Sequence, residues 1–120
     1  MRDRLSILKD NKVINEEVFD FSWNVYNDLL IPKGFNPNEL VVFMTHLAMS
    51  SQRILNKDIV ASMESAIFGQ LEESDNFNKA EDLMNEILSK TSIDFPDSEK
   101  QYLMLHIINM LSEGGGDRND

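Results

Sequence analysis

A chain of 120 residues with no cysteine, few glycines and prolines and 42% apolar side chains is long enough for one folded domain with its own core. Its 21 acidic against 11 basic residues leave a formal charge of −10, which repels a nucleic-acid backbone, so direct DNA or RNA binding is disfavoured and not expected. The absence of cysteine excludes a disulfide framework and thiolate metal sites and fits a reducing compartment. Met1–Leu5 is charged rather than apolar, and the longest unbroken apolar run, Leu40–Met44, is far shorter than the ~18 residues of a membrane span, so the expected location is the cytoplasm, away from the membrane.

Apolar residues recur at spacings of three and four and almost never alternate, which predicts an all-α protein, a compact bundle of about five helices within residues 1–112. The opening segment, with Leu5, Ile7, Leu8 and Val13, reads as a short helix or turn packed on the rest. Asn15 caps a first long helix, Glu16 and Glu17 suit the positive end of its macrodipole, and Ile14 is placed to staple onto Phe19. The buried face of that helix is Phe19, Trp23, Tyr26 and Leu30, and Pro32-Lys33-Gly34 ends it. Pro37 opens the next helix, which runs to about Leu55 and is apolar on nearly every side at its middle. Asp58 is the expected cap of a following helix with the stripe Val60, Met63, Ile67, Phe68 and Leu71, ended by the polar run Glu72–Asn76. Phe77, Ala80, Leu83, Met84, Ile87 and Leu88 mark another. Phe95-Pro96-Asp97-Ser98 announces the last, with Asp97 or Ser98 as cap, and its many apolar residues place it at the centre of the bundle as far as about Ser112. Residues 113–120, acidic and glycine-rich, read as a disordered tail.

The chain has two histidines, His46 and His106, each in the middle of one of the two most apolar helices and each seven residues after a glutamate, Glu39 and Glu99. Seven residues is nearly two helical turns, so Glu39, Phe43, His46, Ser50 and Arg53 share one face, and Glu99, Tyr102, His106, Asn109 and Glu113 share another. Three readings of the histidines stand. Each imidazole can be a structural group bonded to Thr45, Ser50 or Asn109, and physics alone favours this. A metal site would join them with Glu39 or Glu99, but the spacing is wrong and zinc would be short of ligands, so neither a metal nor another cofactor is expected. The third reading is phosphoryl acceptance: a neutral imidazole is a good nucleophile, and Arg53, leaning back toward the helix N-terminus, is placed to pair with the added anion. Nothing marks a catalytic residue for turnover, and accepting a phosphoryl group is not turnover, so an enzyme is not expected. The methionines read as flexible core filling, with Met44, Met49, Met104 and Met110 also placed near the histidines.

His46-Leu47 with Arg53, and Pro96, Glu99, Tyr102, Leu103, Leu105, His106, Ile107 and Asn109, together resemble the two histidine motifs of the PTS regulation domain (PRD), a helical module of bacterial antiterminators and transcriptional activators. The resemblance covers about residues 10–112. It implies a bundle in which both histidines lie close together near a dimerisation surface, and it implies phosphorylation at His46 and His106 by the phosphocarrier histidine protein or a sugar permease component. Arg53, Glu99, Tyr102 and Asn109 are then the neighbours of the phosphate site. A homodimer and a regulatory protein partner are the implied assemblies. Many members carry an acidic residue just before the first histidine and another before the arginine; here these are Thr45 and Gln52, a departure that weighs more on His46 than on His106. The alternative is a non-signalling helical dimerisation or scaffold protein with structural histidines.

Overall fold

The computed structural model describes residues 1–112; the expected tail at 113–120, including Glu113, lies outside the described residues. Helix α1 spans Arg2–Asp10, α2 Glu16–Asn24, α3 Pro37–Leu55, α4 Ser65–Glu72, α5 Phe77–Leu88 and α6 Asp97–Ser112, with a π-helical segment, Val25–Leu30, continuing α2. The described residues contain no strand, and no helix among them is long and apolar enough to cross a membrane. The opening segment is thus a helix, and apart from the start of α4 the remaining helices correspond to those read from the apolar spacing.

Local chemistry explains most of the boundaries. The Asn15 side chain accepts from the Val18 backbone N–H at 2.9 Å and starts α2, with Ile14 and Phe19 both buried beside it. Asn36 does the same for α3 through Asn38 at 2.8 Å, with Pro37 in the first turn where its missing N–H costs nothing. At the far end of α2 the Ile31 N–H reaches back to the Tyr26 carbonyl, a widened turn that buries both Leu29 and Leu30 before Gly34, at φ 80°, turns the chain. Trp23 and Tyr26 are half-buried rather than sealed: they stack on each other, and Arg2 lies over the Trp23 ring while Lys9 covers Phe19. These contacts, with fully buried Leu5, dock α1 on α2.

The expected helix from Asp58 does not start there. Asp58 instead closes α3: its N–H bonds the Arg53 carbonyl and that of Lys57 bonds Ile54, with Lys57 at φ 63° in the left-handed region. The chain then runs without helix to α4 at Ser65. Met63 in this strap is buried, and its N–H is taken by the Gln101 side chain of α6 at 2.8 Å, a partner outside any helix of its own. At α6, Asp97 and Ser98 lie inside the first turn, so the helix starts on the residue after Pro96.

Helix α6 packs against α3, α5 and α4, burying Leu103, Met104, Ile107, Ile108, Met110 and Leu111. Met44 is buried as well, so of the four methionines near the histidines only Met49 is exposed. The seam between α3 and α6 is central, and both histidines sit on it.

Candidate functional site

Two cross-helix pairs fix the geometry of that seam. His46 of α3 meets His106 of α6, and Arg53 of α3 meets Glu99 of α6. A step of seven residues forward on one helix is a step of seven back on the other, so the helices run antiparallel, and the glutamate and arginine two turns from each histidine are brought opposite each other.

The imidazoles stack nearly parallel, with ring centroids 3.8 Å apart and 12° between planes. His46 is exposed and His106 half-buried. Two protonated rings at this separation would repel strongly, so the stack favours at most one charge. Both rings line an open cavity of about 270 Å³ with Ser50, Arg53 and Tyr102, and with Val60 and Ala61 of the non-helical strap between α3 and α4. His106 also borders a second cavity, of about 290 Å³, with Glu39, Phe43 and Asn109. Of the residues singled out in the sequence, Arg53, Tyr102, His46 and His106 therefore share one cavity, whereas Asn109 lies on the far side of His106.

Glu99 is 1% exposed, yet ionisable. It is held by a two-pronged pair, Arg53 Nε donating to Oε2 and Nη2 to Oε1, both at 2.9 Å, and Nη2 also donates to Ser50 Oγ at 3.0 Å. The hydrogen bonding to Glu99, opposed by burial and reinforced by the charges of Glu99 and Asp58, keeps the Arg53 guanidinium more firmly protonated than usual. Ser50 thus serves the arginine. Thr45 bonds Arg4 of α1 at 2.9 Å and its own helix at Val41, while Gln52 accepts from the Asn15 N–H at 2.7 Å. The two positions where acidic residues are common in the family pattern here fasten the N-terminal segment onto α3.

Burial, and secondarily the positive charge on His46, push the His106 imidazole down from its ordinary 6.5 to about 4. The unfolded chain takes up this proton below pH 6.5 and the folded one only near pH 4, so His106 stabilises the fold fully above 6.5 and that contribution is lost as pH falls toward 4. With solvent screening of a half-exposed ring the loss is about 1–2 kcal/mol. Urea denaturation of the wild type and His106→Asn at pH 7 and pH 4.5 measures it: the difference between the two proteins should shrink or reverse at the lower pH, and an unchanged difference contradicts the assignment.

Val60 and Ala61 were not accessible to sequence reasoning, because the segment containing them reads as a helix; the adjacent β-branched pair Ile59-Val60 was the available signal for an extended strap. Among the described residues no group of three or more histidine or acidic side chains is placed to hold a metal ion.

Comparison with curated proteins and with solved structures returns no match. The family model described as "PRD domain" matches residues 30–110 of the 120, a span that contains the whole of α3 and nearly all of α6 with both histidines, Arg53 and Glu99. An all-helical chain with this stacked pair on its central seam, matched over that length, belongs to the PRD family of regulatory domains associated with the sugar phosphotransferase system.

Proposed function

We propose that the domain is a phosphorylation-responsive switch of the sugar phosphotransferase system, accepting phosphate on His46 or His106 and altering self-association or the binding of a regulatory protein in transcriptional control. The observation that carries this reading is the stacked imidazole pair on an open cavity whose wall includes the Arg53 guanidinium. A neutral imidazole presents a nitrogen lone pair. That pair forms the new P–N bond as the P–N bond of a donor phosphohistidine breaks and its electrons return to the donor ring. The lowered pKa of His106 keeps its lone pair free at neutral pH, and the exposure of His46 gives a macromolecular donor access to the stack. A ring sealed from solvent with both nitrogens bonded within the protein would be closed to such a donor. The added phosphoryl group carries about −1.5 to −2 charges, on a chain already at −10, so it bears on any interface formed along this face.

The donors that fit are the phosphocarrier histidine protein and a sugar permease component. Incubating the protein with each phosphorylated donor should add the mass of one or more phosphoryl groups, labile in acid. The increment should vanish in the variant carrying both His46→Ala and His106→Ala. No increment with either donor refutes the proposal and leaves a non-signalling helical scaffold.

A further inference from the structure

One cation at this site stands between a buried carboxylate and the cavity of the histidines. Arg53 grips Glu99 with two hydrogen bonds at 2.9 Å, and the same guanidinium lines the cavity on which both imidazoles open. Glu99, at 1% exposure, is the one charged side chain that the described residues bury. A buried carboxylate is tolerated while its cation is in place and is strongly unfavourable without it. Arg53 is a third exposed and sits on the last turn of α3, so its head group has room to move that Glu99 lacks.

We propose that the Arg53–Glu99 pair is the latch of the switch: a phosphoryl group on His46 or His106 draws Arg53 toward itself, strips Glu99 of its partner, and loosens the antiparallel seam at the first turns of α6. This rests on the phosphoryl acceptance argued above and adds to it how the charge is turned into a change of packing. A phosphoryl dianion offers more acceptor oxygens and more charge than the carboxylate and lies where water reaches it, so it competes for the arginine at lower desolvation cost.

The loosening has a place to go. Val60 borders both the histidine cavity and an adjoining one of about 410 Å³ that Glu99 and Asp58 also line, and the strap carrying Val60 is tied to α6 by the Met63 N–H to Gln101 bond, two residues along from Glu99. Releasing Glu99 therefore acts on the α6 residues that hold the strap at the histidine cavity, and the surface that changes is the one around the phosphorylated rings.

The test follows the Arg53 Nε–H resonance and amide hydrogen exchange of residues 99–104 by NMR in the full chain. In the unphosphorylated wild type the Nε–H should be observed and protected. Phosphorylation should abolish that protection and speed α6 exchange about a hundredfold, the size expected for losing one partner of a buried pair. His46→Glu, at an exposed position of α3, places a carboxylate on the same face without any donor and should shift the Nε–H in the same direction. Glu99→Gln should exchange fast from the outset and respond no further to phosphorylation. A phosphorylated chain whose Arg53 Nε–H stays protected overturns the latch, as does a His46→Glu chain whose resonance is unmoved. Failure of every donor to label the chain, with His46→Glu still releasing Arg53, instead refutes the phosphorylation reading and leaves an anion-operated latch.

Discussion

Truncation of Arg53 to alanine should cost about 3 kcal/mol of folding stability, a large share of the ~5–15 kcal/mol typical of a domain. The loss exceeds that of an ordinary surface ion pair because the partner cannot retreat to water: Glu99 is 1% exposed and enclosed at the start of α6. Arg53 itself is about a third exposed, which places the cost at the lower end of the range for breaking buried pairs. The charge, not the contact area, is responsible, so replacing both members by methionine should recover most of the loss, leaving the double variant within about 1 kcal/mol of the wild type. Urea denaturation midpoints for wild type, Arg53→Ala and the Arg53→Met/Glu99→Met chain decide this. An Arg53→Ala loss below about 1 kcal/mol would mean that Glu99 finds water or another cation.

The pairing behind this expectation was only half legible in the sequence. Arg53 and Glu99 each stand two turns from a histidine on the histidine's own face, and helical periodicity supplies that much. It does not supply the antiparallel register that sets Arg53 against Glu99 rather than against the phosphate site alone; that comes from which helices the fold makes neighbours. The long elements were legible because their signals are local and redundant: Asn15 bonded to Val18, Pro37 in a first turn, the apolar run of α6. The strap was not. Its Val60 and Met63 form one stripe of helical spacing with Ile67 and Phe68 of α4, and the residue that closes α3 in the left-handed conformation is Lys57, where glycine would have announced the stop. Tertiary bonding of the Met63 N–H to Gln101 then overrides a spacing that suits a helix. Thr45 and Gln52 show the same limit: as departures from a family pattern they read as losses at the histidine, whereas in space they are the points where Arg4 and Asn15 tie down the N-terminal segment.

Phe43→Ala should be as damaging as the loss of Arg53 or more so, and it should also move a titration. Phe43 is 1% exposed, one turn before His46 on α3, and forms a wall of the cavity of about 290 Å³ that reaches His106. Removing the ring forfeits its transfer free energy and leaves a void that two long packed helices cannot fully close, about 3–5 kcal/mol in all. Phe43→Leu keeps most of the volume and should cost about 1.5 kcal/mol or less. The void adjoins an open cavity, so water enters beside His106. Burial is the main cause of that imidazole's low pKa of about 4, with the His46 charge second, so admitting water removes the larger cause and leaves the smaller. The His106 pKa should therefore rise in the order wild type, Phe43→Leu, Phe43→Ala, yet remain below the ordinary 6.5 while His46 is stacked upon it. As the folded pKa approaches the unfolded one, the stability lost between pH 6.5 and pH 4 must shrink, so the less stable variants should be the less acid-sensitive at this residue. Following the His106 Cε1–H resonance with pH reads the order directly, and Phe43→Leu keeps the test available if Phe43→Ala is too unstable to titrate. An unchanged His106 pKa in Phe43→Leu, with His46→Ala raising it, would instead make the charge of the stacked partner, not burial, the force that holds His106 neutral.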